Sequence, residues 1–253
     1  MPGRAHACVA IECGNGLYVF DLGEPAGRGL LAGGLPLPKL RAAFVSHMHS
    51  DHVGGLFQFV KNLHLYHNHP GYLPQVDEIT LALPGEAVGA VMKFFIASYM
   101  FPERLKVKIN WLPVRPGPVY EDGNIRVAAL PTTHLDEIKP FLAEHPEYAG
   151  PRGEAFSFEA AAGGKRVLYS GDLGAISDVL EPARGADVLI LEFGHLLPLE
   201  DNLRKLAGLG VGKVVLTHIF PDYNEKGAEL QSIADRVLPG RVAVAKDGLE
   251  LVV

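Results

Sequence analysis

Cysteine is scarce in this chain: 253 residues hold two, Cys8 and Cys13, expected to be reduced thiols in a core strand. So small a supply excludes a disulfide-stapled scaffold, and a chain of this length can bury its core without staples. Any run of Lys or Arg is also missing, and the formal net charge is −6. Without a basic patch there is no long-range attraction to a polyanion, which argues against a general nucleic-acid binder. A nuclease remains open, because bound divalent metals would add positive charge that the formal count omits. No stretch reaches the roughly 18–20 apolar residues of a membrane span. The N-terminal Met1-Pro-Gly-Arg-Ala-His run has no apolar core of signal-peptide length, so the expected protein is cytoplasmic and membrane-free. Apolar residues at 48% and charged residues at 21% are ordinary globular usage, which removes disordered, collagen-like and coiled-coil readings. With no repeat, linker or low-complexity segment, one domain over residues 1–253 is expected.

The periodicities that remain describe a layered α/β protein. Ala7–Ile11 and Leu17–Phe20 flank Cys-Gly-Asn-Gly as a hairpin, and Ala42–Val45 reads as a buried strand. Gly54–Leu63 reads as a helix with Leu56, Phe59 and Val60 on one face. Pro84–Phe101 reads as the longest helix, opened by Pro84 and carrying an apolar stripe through Tyr99. Strands are expected at Arg126–Leu130, Ala155–Ala161, Arg166–Tyr169, Val188–Leu191 and Lys213–Leu216. Helices are expected at Leu199–Ala207 and Ala228–Val237, then a terminal hairpin of Arg241–Ala245 and Leu249–Val253. The Gly27–Gly34 segment reads as loop. Sheets packed on each other with helices outside would accommodate this order.

Histidine is abundant, 11 residues, and several are bunched. Ser46-His47-Met48-His49-Ser50-Asp51-His52-Val53-Gly54-Gly55 follows a strand and precedes a helix, placing four potential metal ligands within six residues. Alternate residues of an extended chain point the same way, so His47 and His49 can meet one cation. Asp51 and His52 fall where the chain can turn, and the glycines allow close backbone passage. Imidazole and carboxylate together suit zinc, manganese or iron better than calcium or magnesium. His134, Asp172 and His218 each stand just beyond a strand, repeating one strand–polar–ligand pattern. Singly each would pass as a turn residue; jointly they extend the cluster.

These residues resemble the metallo-β-lactamase superfamily of dinuclear metal hydrolases. His47-x-His49-x-Asp51-His52, then His134, Asp172 and His218, stand in that superfamily's order, and Ala245-Lys-Asp-Gly-Leu-Glu-Leu is similar to its last strands. The resemblance implies a four-layer αββα sandwich and two divalent metal ions, zinc first, with manganese or iron as alternatives. It assigns His47, His49 and His134 to one ion, Asp51, His52 and His218 to the other, and Asp172 to both. Two such ions sharing a water lower its pKa far below that of bulk water. A carboxylate at 172, where a cysteine would mark a β-lactamase-type site, turns away from antibiotic hydrolysis.

Within the superfamily, the hairpin followed by Val19-Phe-Asp-Leu-Gly-Glu-Pro is similar to the ribonuclease Z and phosphodiesterase branch. The branch implies an acid–histidine pair as proton donor, for which Glu192 and His195 are the candidates, with Asp51 also in the catalytic set; the plainer reading is that Glu192 caps the following turn and His195 is simply exposed. The interval between His134 and Asp172 is short and acidic, unlike the long basic arm with which that ribonuclease grips transfer RNA. A small phosphodiester or nucleotide is therefore expected rather than a long polynucleotide, and the branch implies a homodimer. The same ligands would also serve an ester, lactone or thioester hydrolase. A non-catalytic binding protein is the third reading, opposed by the complete ligand set. His64, His67 and His69 read as a polar connection or a substrate entrance, Phe94, Phe95, Tyr99 and Phe101 as core, dimer contact or lid, and Tyr223 as a turn or substrate contact.

Overall fold

A computed structural model describes residues 4–69 and 75–253; Pro70 and Gly71, in the segment after His69, lie outside the described residues. The chain forms two compact units, one of Ala5–Arg115 with Leu142–Glu154, the other of Pro116–Phe141 with Ala155–Val253 and Arg4.

The first unit runs β1 (Val9–Cys13), β2 (Gly16–Phe20), α1 (Ala26–Ala32), β3 (Leu40–Phe44), α2 (Ser50–Val53), α3 (Leu56–Tyr66), β4 (Glu78–Pro84), α4 (Val88–Ala97) and β5 (Lys108–Val114). β1 and β2 form the expected hairpin, with Cys13 opposite Gly16 across a two-residue turn. From β2 the strands are parallel in the order β2-β3-β4-β5. Parallel neighbours need a crossover, and helices supply each one. The expected face of α3 is buried: Leu56, Phe59, Val60 and Leu63 pack with Leu17 and Val19 of β2 and Leu81 of β4. Burying each such side chain is worth about 1.5–3 kcal/mol. Every residue of β2 is buried, which explains its uninterrupted apolar run.

The second unit contains β6 (Gly117–Glu121), β7 (Arg126–Pro131), β8 (Phe156–Ala162), β9 (Lys165–Tyr169), α6 (Ser177–Leu180), β10 (Val188–Glu192), α7 (Leu199–Leu206), β11 (Lys213–Thr217), α8 (Gly227–Val237) and β12 (Val242–Val244). α5 (Lys139–Glu144) lies in the connection from β7 to β8. The sheet order is β12-β11-β10-β9-β8-β7-β6. β6 to β9 form an antiparallel meander; β9 to β12 are parallel. Leu203 of α7 and Leu230 of α8 bury against Leu189, Leu191 and Leu216 of the sheet. Sheets bearing helices thus make up both units, and the α/β class is as expected.

Several expectations fail locally. Pro84 ends strand β4, paired with Val114, and the helix after it is only Val88–Ala97. Tyr99 stands beyond that helix at φ 61° and is exposed, and Phe95 is the stripe's buried member, edge-on to Trp111 at 5.3 Å. β5 and β6 were hidden by Pro113 and Pro118; both strands are at sheet edges, where a missing N–H is tolerated. The glycine-rich 27–34 segment is largely helix α1, and at Gly27 the absence of a Cβ eases the close approach to the backbone of Phe59 on α3. The terminal hairpin is absent: β12 pairs parallel with β11, and 249–253 form no strand. The Lys246–Leu249 turn does form, with the Leu249 N–H donating to the Lys246 carbonyl at 3.0 Å, but the residues after it join no strand.

Candidate metal centre

Strand direction decides where the candidate ligands emerge. In the first unit β2 and β3 run parallel, so Asp21 and the Ser46–His52 run leave the sheet at the same edge. In the second, β7, β9, β10 and β11 all run one way, with β8 reversed between β7 and β9. His134, Asp172, the Glu192 turn and His218 therefore leave at one carboxyl edge, the common location of sites in open α/β sheets.

The first unit's histidine loop is held by its own sheet. Leu22 N–H donates to His52 O at 2.7 Å, Gly55 N–H to Leu22 O at 2.7 Å and Ala7 N–H to Asp51 O at 3.2 Å. Gly23 lies so near the Asp51 carbonyl that a Cβ there would collide with it. His47 and His49 bring their rings to 4.6 Å, His47 and His52 to 4.2 Å, and His52 Nε2 stands 3.8 Å from Asp51 Oδ2. Asp51 and His52 sit on the short helix α2 rather than on a loop.

Beneath them is a residue to which sequence reasoning gave no role. Asp21, fully buried and at φ 59°, accepts from Ser46 N–H on Oδ1 at 2.7 Å, and on Oδ2 from the Ser46 hydroxyl at 2.8 Å and His52 Nδ1 at 2.7 Å. A carboxylate only accepts, so His52 carries its proton on Nδ1 and presents Nε2 as the ligating nitrogen. With its proton given to Asp21, the Ser46 hydroxyl accepts from His47 Nδ1 at 3.0 Å, so His47 presents Nε2 as well. One carboxylate thus sets the tautomer of two imidazoles. Its signal was visible as the lone acid after a wholly apolar strand. Holding a non-glycine residue at positive φ costs on the order of 1 kcal/mol or more, a strain typical of functional positions.

In the second unit three imidazoles converge on one carboxylate oxygen. Asp172 Oδ2 lies 3.7 Å from His134 Nε2, 3.8 Å from His195 Nδ1 and 3.6 Å from His218 Nε2. These separations exceed hydrogen-bond lengths. They approach the roughly 3.3–3.5 Å between neighbouring ligands around a tetrahedral ion with 2.0–2.1 Å bonds. His218 turns into this cluster at φ 51°, a second strained position. Asp178 accepts the Thr133 N–H at 2.9 Å and its hydroxyl at 2.9 Å, fixing the loop before His134, and the Thr132 hydroxyl donates to the Asp172 carbonyl at 3.0 Å.

Glu192 is buried. Its Oε2 accepts the His195 N–H at 3.0 Å, capping the turn, and its Oε1 lies 3.2 Å from His195 Nδ1. His64 and His67 belong to neither cluster: His64 Nδ1 accepts the Lys106 N–H at 3.2 Å and His67 Nε2 faces Asp77 Oδ1 at 3.1 Å. Tyr223 packs edge-on to Phe193 at 5.0 Å, and Phe94 is exposed on α4. Outside the clusters, Cys8 lies just before β1; burial, with the nearby Asp21 charge, pushes its thiol up to about 12.

In both clusters the donor set is imidazole and carboxylate held by outer hydrogen bonds, which fits a divalent metal of the zinc, manganese or iron type. The chain matches the model of the β-lactamase superfamily domain over residues 19–219. It belongs to that superfamily and is a hydrolase of the metallo-β-lactamase fold, which binds divalent metal. Ribonuclease Z of Methanosarcina mazei is 25% identical, the match covering 98% of this chain and 92% of the relative. Among solved structures, the metallo-β-lactamase fold protein YhfI of Bacillus subtilis superposes with a TM-score of 0.72 at 19% identity, covering 98% of this chain and 92% of the other. The short form of human tRNase Z gives 0.69 at 18% identity, covering 98% and 93%. The resemblance to the ribonuclease Z and phosphodiesterase branch therefore holds. Among the described residues no helix is long and apolar enough to cross a membrane.

Proposed function

We propose that the chain hydrolyses a small phosphodiester, of nucleotide size, at a centre of two divalent ions, zinc or alternatively manganese or iron. The observation that carries this reading is the convergence of His134, His195 and His218 on one oxygen of Asp172. On the family's pattern His47, His49 and His134 hold one ion, Asp51, His52 and His218 the other, and Asp172 both. Once bound, the ions supply an acidified water and positive charge for the phosphoryl oxygens.

The chain's own side chains do the rest. Asp21 and Ser46 hold the His47 and His52 rings so that Nε2 is the nitrogen offered. Glu192 orients the His195 ring through Nδ1 and balances its charge. His195 gives its proton to the leaving oxygen as the P–O bond breaks, yielding an alcohol and a phosphomonoester. Relatives named as ribonucleases favour phosphorus over carbon as the centre attacked. The net charge of −6 favours a small substrate over a long RNA, and the branch implies that two copies associate.

The test is metal content per chain measured beside a substrate panel. Two ions per chain with turnover of bis(p-nitrophenyl) phosphate, and inert lactones and thioesters, is the expected result. Turnover of the carbon esters alone would overturn it in favour of a carboxylic-ester hydrolase.

A further inference from the structure

The second unit holds a cavity of about 390 Å³ that opens beside His195. Its walls are chiefly apolar, with Ile176, Leu196 and Leu197 among them, and Asn202 and Lys205 of α7 complete it. Asn202 is buried and its amide donates to the carbonyls of Leu196 at 3.0 Å and Pro198 at 3.1 Å, so the wall is built around it. The amide oxygen that remains accepts from Lys205 Nζ at 3.3 Å. Among the described residues Lys205 forms no ion pair, since its neighbour Arg204 takes Glu200 and Asp201. An ammonium has three protons to donate. One is spent on Asn202, and the others are available to a ligand at the cavity.

Resting on the proposed phosphodiesterase activity, we propose that this cavity is the subsite for the substrate's leaving group, and that Lys205 selects a leaving group carrying its own anion, a phosphate or a carboxylate. His195 lines the cavity and is the proton donor of the reading above, so a group leaving toward His195 is released into this space. The volume is at the lower end of the roughly 300–1,000 Å³ typical of small-molecule sites. It has room for a ring bearing a charged substituent. A cation tethered at an apolar pocket contributes only when the ligand brings a charge to it, which makes Lys205 a specificity-determining residue.

The experiment uses the metal-loaded full chain and methyl aryl phosphodiesters whose leaving phenol carries a 4-phosphate, a 4-carboxylate or an uncharged 4-carboxamide. Wild type should prefer a charged phenol over the carboxamide by about tenfold in kcat/KM, the worth of one charge-assisted hydrogen bond. Lys205→Gln should erase that preference through KM rather than kcat, and Lys205→Arg should retain it. The phosphate and carboxylate arms tell which anion is read. As a second readout, 4-hydroxyphenyl phosphate should inhibit bis(p-nitrophenyl) phosphate hydrolysis about tenfold more weakly in Lys205→Gln. A charged-to-neutral ratio and an inhibition constant identical in wild type and Lys205→Gln would overturn the subsite while leaving the phosphodiesterase intact. No turnover of any diester by wild type would instead overturn the activity itself.

Discussion

In the first unit the candidate ligands come from one loop and the short helix α2 that continues it. His47, His49, Asp51 and His52 follow β3 in six residues, and Asp21 beneath that loop sets the tautomers of His47 and His52. In the second unit each candidate site residue comes from a different connection, His134 after β7, Asp172 after β9, His195 after β10 and His218 after β11. There the organising element is a sheet edge, and the shared centre is Asp172. The first arrangement needs only the β2–β3 pairing that brings Asp21 beneath it. The second requires four strands in register before any ligand has its neighbours. A contiguous cluster is orientation-limited, and a distributed one is assembly-limited.

The sharpest break of this comparison is at the shared centre. Asp172→Ala removes the oxygen on which three imidazoles converge, and should cost more than the roughly 10²–10³-fold of a single electrostatic stabiliser. Metal content per chain should fall while circular dichroism stays native. Near-normal turnover would show that the second cluster does not depend on its carboxylate. His195→Ala comes next: loss of a positioned acid should cost about 10²-fold or more on poor leaving groups. With p-nitrophenyl esters, whose leaving oxygen needs little protonation, the loss should be several-fold smaller. Equal losses on both substrates would remove His195 from the acid role.

The first unit is probed at Asp21. Asp21→Asn keeps the shape but replaces one carboxylate oxygen by an amide NH2, which then faces either the Ser46 N–H or the Ser46 hydroxyl and His52 Nδ1. Metal affinity should fall about 10–100-fold, the usual effect of an outer-shell partner, with a stability loss of about 1–3 kcal/mol for a buried unsatisfied group. Competition with a chromophoric chelator and denaturant titration read the two effects. An unchanged affinity would mean that the loop orients its histidines without Asp21.

How much was legible in the sequence follows the same division. The His47–His52 cluster was readable because spacing along a chain is local information, and the buried face of α3 because its period is. His134, Asp172 and His218 were readable only as a repeated strand–polar–ligand pattern, which names candidates but no geometry. Apart from the missing terminal hairpin, the fold errors came from proline and glycine, whose local preferences were overridden by context: Pro113 and Pro118 sit on edge strands, and Gly27 serves a close helix approach. The tautomer relay from Asp21 through Ser46 to His47 was illegible, because residues far apart in the chain meet there through side-chain oxygens.

The smallest predicted effect separates the two modes of assembly most finely. Asp178 touches no candidate ligand; it holds Thr133, one residue before His134, through the N–H and the hydroxyl. If the second cluster is assembly-limited, Asp178→Ala should loosen that loop, costing about 1 kcal/mol for partly exposed hydrogen bonds. Metal affinity should then fall only a few-fold, because β7 still carries His134 to the carboxyl edge. Asp178→Asn, which keeps an acceptor for Thr133, should recover most of the loss. A drop as large as that of Asp21→Asn would make loop orientation as decisive in the second unit as in the first, and the contrast between a contiguous and a distributed cluster would dissolve.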